Sequence, residues 1–548
     1  KPALIRSLSG DMFMFLSLIH QHVKGDRDAA RDGLELVLRR KGAAIDAEFW
    51  ASNEMRDRLP AQARREWQEL HAARGELARL VRHKPERMGA DTYREALAAQ
   101  NQRIETVEQR LAGESAVAAR ALQRKAITTE GAAKALPEKS ALVEFVKIRE
   151  FDFGAGKWNA SGRYLAFVLR KSGEVAMVDL GDAAKLEERA RRVLEDVRSS
   201  MRAKSGDAKS AKKPRGRSPI PHSLRSLEDL YAQLWAPLEP ALGSVDKILL
   251  SPDGLLNLVP FAALRDGQGR SLVERYQLAY FAGGGELAGG DGAAPRSGSE
   301  LLLVANPAFG KSNAGFAPLS GAEREGQEMA ALIGADGAVT QVLVGKLATE
   351  SAVKASGSPR ILHLATRGFF LSDEAIDLDS AAPVVSPKRG RSGKKRAAAT
   401  PYENPLVRSG LALAGANQAA EAETEGDDGL LTAQEIAGLD LAGTELVVLP
   451  ACETGAGKVQ NGDGVFGLRR AFALAGAKNL LMSLWLSGDE VAARQVKDFY
   501  RKVRTLAPAE ALRQAQLESI RELKATYGNA PPGLWAPFIL QGAHALGQ

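Results

Sequence analysis

The chain has 548 residues, 45% hydrophobic and 26% charged, a balance that fits a globular protein with room for roughly two to four domain cores. Its formal net charge of +7 sits mostly in two short Lys/Arg runs, so charge alone argues little for a nucleic-acid partner. No run of about eighteen consecutive apolar residues occurs, which excludes a helix through a membrane, and a single cysteine excludes an internal disulfide, in keeping with a cytoplasmic location.

The sequence opens on Lys1 and not on Met, so it is expected to be a fragment with an N-terminal part missing. MFMFLSLI (Met12 to Ile19) is too short for a membrane span and lacks a small-residue cleavage site, so it reads as the core face of a helix. Residues 1–135 form a helical region, with amphipathic spacing in Ala61 to Val81 and Asp91 to Leu111. They are either the tail of a helical-repeat array or a bundle packed on the next domain, since no clean period is present.

At Ser140 the pattern changes to strands. SALVEFVKI is followed by RYLAFVLR and EVAMVDLG, which a Lys171-Ser172-Gly173 turn joins into a hairpin. A charged amphipathic helix from Asp182 to about Met201 leads into residues 203–221, a Lys/Arg/Ser/Pro/Gly run that cannot bury apolar surface. That run has no aromatic residue for stacking on bases, so a solvated loop is expected and direct nucleic-acid binding is not. LRSLEDLYAQLWAPLEPAL then reads as one helix, KILLSP as a buried strand and DGLLNLVPFAAL as a turn into an apolar segment. A glycine-rich spacer, Gly283 to Ser299, closes a middle region expected over 136–300.

From residue 301 onward, ELLLVANP, a helix around Ala322 to Leu332, TQVLVG and PRILHLATRG alternate strand and helix. The expected fold class is therefore α/β, a mostly parallel sheet with helices on both faces. LVVLPACETGAGK is a buried strand that ends on Cys452, the one cysteine, with glycines directly after it. DGVFGLRRAFALAG reads as a helix with Asp463 as N-cap and Gly476 as its stop. NLLMSLW is a further strand, and Ser487 to Glu490 makes a capping box for a helix through Val503. An insertion over 372–405 carries a dense basic core, Lys388 to Arg396, expected to be a mobile, solvated loop or a processing site.

A thiol at the carboxyl end of a buried strand stands where open α/β sheets place their chemistry. It becomes a useful nucleophile when its surroundings favour the thiolate, and acyl transfer also needs backbone N–H donors for the oxyanion. ILHLATRGFF is a second strand running into a glycine, so Gly368 N–H and Cys452 N–H can together form an oxyanion hole. TGAGK also looks like the end of a phosphate-binding loop, but Cys452 fills its first glycine position and Val459 its Ser/Thr position, which argues against nucleotide hydrolysis. No Cys/His cluster has metal-ligand spacing, and no cofactor is expected.

LHLATRG, LVVLPACETGAG with GDGVFGLRRAFALAGAKNLLMSLW, SPDGLLNLVPFAAL and RSGLALAGAN together resemble the CHAT domain, a group of clan CD cysteine proteases related to caspases and separase. The resemblance runs clearly from Leu224 to the C-terminus and more loosely over the strands from Ser140. It implies a caspase-like protease domain over 301–548, a Cys/His dyad that cleaves peptide bonds in a protein substrate, and often an upstream tetratricopeptide array that senses a regulatory protein or ligand. Cys452 then falls on the nucleophile, and Glu453, Asp463 and Asp489 become candidates for substrate binding. Glu453 also reads as a loop residue, and the two aspartates as helix caps.

One position departs from the family pattern. The family reads His-x-Ala-Thr-His-Gly, with its second His catalytic, and this chain has Arg367 there. A guanidinium has no acceptor lone pair and can neither take the thiol proton nor return one to a leaving amine. The chain is thus a natural pseudoprotease, an inactivated protease, or an enzyme whose base comes from elsewhere. His363 is nearest in sequence, but about 13 Å back along an extended strand, and reads more readily as a buried structural histidine bonded to backbone; His222 and His544 have no motif behind them. Two functions are consistent with these residues: a regulated caspase-like endopeptidase impaired by Arg367, or a non-catalytic protease-fold scaffold that binds partners or peptides.

Overall fold

The computed structural model describes residues 2–51, scattered helical positions between 63 and 110, and residues 128–202, 222–281, 299–311, 315–319, 322–334, 340–370, 409–421, 428–450, 463–485, 490–542 and 545–547. The strands are β1 (Ser140–Asp152), β2 (Lys157–Arg170), β3 (Val175–Asp182), β4 (Lys247–Ser251), β5 (Gln277–Tyr280), β6 (Leu301–Pro307), β7 (Thr340–Gly345), β8 (Ile361–Ala365), β9 (Gly368–Phe370), β10 (Ser409–Ala412), β11 (Leu430–Thr432), β12 (Leu446–Leu449), β13 (Leu480–Ser483) and β14 (Phe538–Gln541).

Eleven of them make one sheet in the order β3-β2-β1-β4-β5-β14-β13-β12-β8-β6-β7. Only β1–β2, β2–β3 and β13–β14 pair antiparallel, so the sheet is mostly parallel, as the alternation of strand and helix predicts. The β13–β14 pair is a seam. Strands β1, β4, β5 and β14 run one way, and β13, β12, β8, β6 and β7 run the other.

Parallel strands covered on both faces need apolar side chains on both, which is why KILLS, LLLVANP and LVVL read as unbroken apolar runs. Leu302, Val304, Leu362, Leu364, Val447 and Leu449 point into one core, under the helices Ala183–Arg202, His222–Leu234 and Asp463–Ala475. Their alternate neighbours Leu301, Leu303, Ile361 and Val448 enter a second core, with Leu16, Leu34, Met329 and Phe499 from helices on the opposite face. The MFMFLSLI face behaves as expected for a core helix, with Met12, Leu16 and Ile19 buried in the helix Pro2–His22.

The single helix expected over Leu224 to Leu242 is broken. It stops at Leu234, passes through the short 3-10 turn Ala236–Leu238 and resumes at Glu239–Leu242. Pro237 lacks the N–H that a continuous helix would use and clashes with the preceding turn. The helix after β12 ends at Ala475, where Gly476 takes φ +98° as its stop signal implies. A separate antiparallel sheet, β11-β10-β9, begins where β8 ends.

Candidate functional site

The relevant edge of the sheet is where β6, β8, β12 and β13 end together. Register fixes this: Val447 lies beside Leu362 and Val448 beside His363, while Leu303 flanks His363 from β6. Neighbouring parallel strands in step deliver the segments after them to one edge. From Ala365 the chain continues into Thr366, Arg367 and Gly368, and from Leu449 into Pro450, Ala451 and Cys452.

Arg367 is half-buried at this edge; its Nε donates to the carbonyl oxygen of Ala317 at 3.1 Å, and its own carbonyl accepts from Ala412 N at 2.8 Å. The buried Thr366 adds a hydrogen bond from Oγ1 to the Ala412 carbonyl, so the β8–β9 corner is fastened twice to β10. Antiparallel pairs alternate between bonded and non-bonded positions. With Arg367 and Ala412 bonded, Gly368 and Leu411 fall at a non-bonded position, and the Gly368 N–H is directed away from β10.

His363 stands elsewhere. It is fully buried in mid-strand, its Nδ1 is 2.9 Å from the Tyr500 hydroxyl, and the two rings stack at 5.9 Å. Tyr500 belongs to the helix Glu490–Lys502, which covers the face of the sheet and not its edge. Burial pushes the His363 imidazole down to about 4, which keeps it neutral at ordinary pH. Cys452, Glu453, Asp489 and His544 lie outside the described residues. The backbones of His222 and Asp463 open the helices His222–Leu234 and Asp463–Ala475.

The wall beside Arg367 contains residues that sequence reasoning did not single out. Asn306, next to last in β6, takes φ +45°, and its Oδ1 accepts from Leu319 N at 3.2 Å. Asn417 accepts from Phe316 N at 2.7 Å and donates to the Gly310 and Phe316 carbonyls at 3.0 and 3.1 Å. These ties set Phe316 between Phe309 and Phe369, with ring centroids 5.7 and 6.2 Å apart. Asn306 sat in the strand ELLLVANP and Asn417 in the family-like stretch RSGLALAGAN, and asparagine's tolerance of left-handed backbone was the available signal at Asn306.

Among the described residues no three His, Cys, Asp or Glu side chains are grouped to hold a metal ion, and no helix is long and apolar enough to cross a membrane. Tetratricopeptide repeat protein 28 of Homo sapiens is 27% identical over 344 residues, 58% of this chain and 13% of that protein. The Mus musculus protein of the same name is 27% identical over 360 residues, 60% of this chain and 14% of its own length. The chain therefore spans only a small part of these relatives. Among solved structures, the Arg-specific cysteine proteinase gingipain R aligns with a TM-score of 0.31 and 10% identity, covering 60% of this chain and 69% of that one. A Saccharomyces cerevisiae separase–securin complex aligns at 0.42 and 8% identity, covering 93% of this chain and 40% of that one. The sequence model of the CHAT domain matches residues 224–543, more than half of the chain, and the chain belongs to the CHAT domain family.

Proposed function

We propose that this chain is the protease-fold portion of a caspase-like cysteine endopeptidase, with Cys452 as nucleophile and Arg367 standing in the place of its general base. The observation that supports the reading is the register of β8 and β12, adjacent and parallel, so that β12, which ends three residues before Cys452 in the sequence, lies in step with β8, which ends two residues before Arg367. In the reaction, the Cys452 thiolate attacks the carbonyl carbon of a peptide bond. The oxyanion that forms is stabilised by the N–H groups of Gly368 and Cys452, and the leaving amine takes a proton as the carbon–nitrogen bond breaks. Water then hydrolyses the thioester.

Arg367 favours the thiolate by its charge but cannot carry the proton from thiol to amine. The chain with Arg367 is thus held short of turnover. The same substitution favours a second reading, a pseudoprotease that uses the cleft only to bind peptides or protein partners. In either case residues 301–548 form the protease unit, Glu453, Asp463 and Asp489 remain candidates for substrate contact, and the helical N-terminal region takes the regulatory role that the tetratricopeptide name of the relatives suggests.

An unfolded protein such as casein, incubated with the unchanged chain, Arg367→His and Arg367→His/Cys452→Ala, tests the reading. Cleavage is expected from Arg367→His alone. Cleavage that persists without Cys452 would overturn it, and no cleavage from any form would leave the scaffold reading in its place.

A further inference from the structure

The sheet β9–β11, which carries Gly368, is held to the main sheet by a buried cluster of charge. Glu350 opens the short helix Glu350–Lys354 and is fully buried. Its Oε2 accepts from Gly429 N at 3.2 Å, at the turn into β11, and its Oε1 accepts from Lys354 Nζ at 2.5 Å. Lys354 Nζ also reaches Glu435 Oε1 at 2.7 Å. Glu435 belongs to the helix Ala433–Ala437, and its Oε2 accepts from Thr432 N at 2.8 Å and from Thr432 Oγ1 at 2.9 Å. Asp428, half-buried beside them, accepts from Leu430 N at 2.8 Å.

From this cluster a chain of backbone hydrogen bonds leads to the site. Leu413 N donates to Gly429 O at 2.7 Å, Ala414 N to Ala348 O at 2.9 Å, and Ala412 N to Arg367 O at 2.8 Å. Two carboxyl groups share one ammonium here, away from water, and like charges that close cannot both ionise cheaply.

We propose that Glu350, Glu435 and Lys354 form a proton-sharing clamp that seats β9–β11 on the main sheet and so positions Gly368 at the candidate site. The meaning of that position rests on the protease reading above; the clamp itself does not. Burial, together with the hydrogen bond and charge of Glu435, pushes Glu350 up to about 8, against the pull of Lys354. Burial also acts on Glu435, but hydrogen bonds from Glu350, Lys354 and the Thr432 amide outweigh it and hold that carboxyl below its ordinary value. Asp428 is raised, by burial and by the charge of Glu435. Glu350 is therefore the proton's holder at neutral pH.

Between the ordinary carboxyl value of 4.5 and about 8 the closed clamp holds a proton that the opened one releases, so opening becomes easier as pH rises and levels off above the upper value. Hydrogen–deuterium exchange of the full chain at pH 6, 7 and 8, expressed as protection relative to the intrinsic rate, reads this directly. Protection of the Ala412, Leu413 and Gly429 amides is expected to fall by up to about tenfold per pH unit, while the β4 amides of Ile248 to Leu250 stay constant. Glu350→Gln, which keeps the proton-bearing form's shape, should abolish the slope. Glu435→Gln removes the charge opposing Glu350 and should move the slope to lower pH. No slope in the unchanged chain, or the same slope in the unchanged chain and both variants, would overturn the clamp. Exchange needs no proteolysis, so failure of the peptidase reading would show separately, as absence of cleavage.

Discussion

Lys41 lies in the helix Arg27–Ala51 and reaches into the sheet, where its Nζ ion-pairs with Glu144 Oε1 and donates to Phe145 O at 2.8 Å and Ser251 Oγ at 3.2 Å. Glu144 is fully buried, and its Oε2 has no hydrogen-bond partner among the described residues. Burial pushes its carboxyl above the ordinary value, and Lys41 is the largest influence opposing that. In Lys41→Met the remaining contact to Glu144 Oε1 is the Ser251 hydroxyl at 2.8 Å. Removing one partner of a buried pair costs about 3–5 kcal/mol. Glu144 can limit the loss by taking a proton, and holding it costs about 1.4 kcal/mol more for each pH unit above the ordinary carboxyl range. The variant should therefore lose stability as pH rises. Urea unfolding, with hydrogen exchange at Leu34 to Leu38 reporting release of the helix, measures both effects. Lys41→Met/Glu144→Leu should recover most of the loss, because neither charge is then left buried. A single variant that loses less than about 1 kcal/mol, or a double variant no better than the single, would refute the reasoning.

Other parts of the molecule yield further expectations. With its imidazole lowered from 6.5 to about 4, His363 stays neutral in the fold, so its contribution is complete above pH 6.5 and is lost as pH falls toward 4. That loss amounts to about 3 kcal/mol; a His363→Gln chain whose acid unfolding midpoint equals that of the unchanged chain would contradict it. At Gly429, φ is +81° and an added Cβ would meet Ala416 N at 2.5 Å. Gly429→Ala should cost at least about 1–3 kcal/mol and lower protection at Leu413, whereas an unaltered urea midpoint would count against that placement. Arg469, buried in the helix Asp463–Ala475, donates to Gln541 Oε1 at 2.7 Å and to Asn257 Oδ1 at 3.0 Å, joining that helix to β14 and to the turn after β4. Arg469→Met should lose about 3 kcal/mol or more, read as a lower thermal midpoint, and unchanged melting would remove this role.

Burial on two faces is the reason that much of the fold was legible in the sequence. Runs such as KILLS, LLLVANP and LVVL admit few readings other than covered strands, so the α/β class and the ends of β8 and β12 could be found from residues alone. The seam was not legible. β14 is the four-residue FILQ, too short for a periodic signal, and its antiparallel pairing with β13 depends on contacts far along the chain. β9 and β11 have three residues each, and their pairing is decided by the hydrogen bond that Thr366 donates and by those that the Arg367 carbonyl and the Glu350 carboxylate accept. Glu350 and Glu435 look like ordinary surface glutamates in a helical pattern, and only the fold buries them side by side.

On the reading proposed above, the edge shared by β8 and β12 is protease machinery whose base position is filled by an arginine. Because Cys452 is the only cysteine, the acyl group that a peptide amide leaves on the thiol adds mass at one place, and its rate of appearance can be followed in the intact chain. Acylation by the amide is expected to be slow in the unchanged chain and about 10²-fold faster or more in Arg367→His, the range over which a positioned acid or base accelerates such a step. Equal, rapid acylation of both forms would contradict that reading, since a proton donor from elsewhere would then be serving the leaving amine.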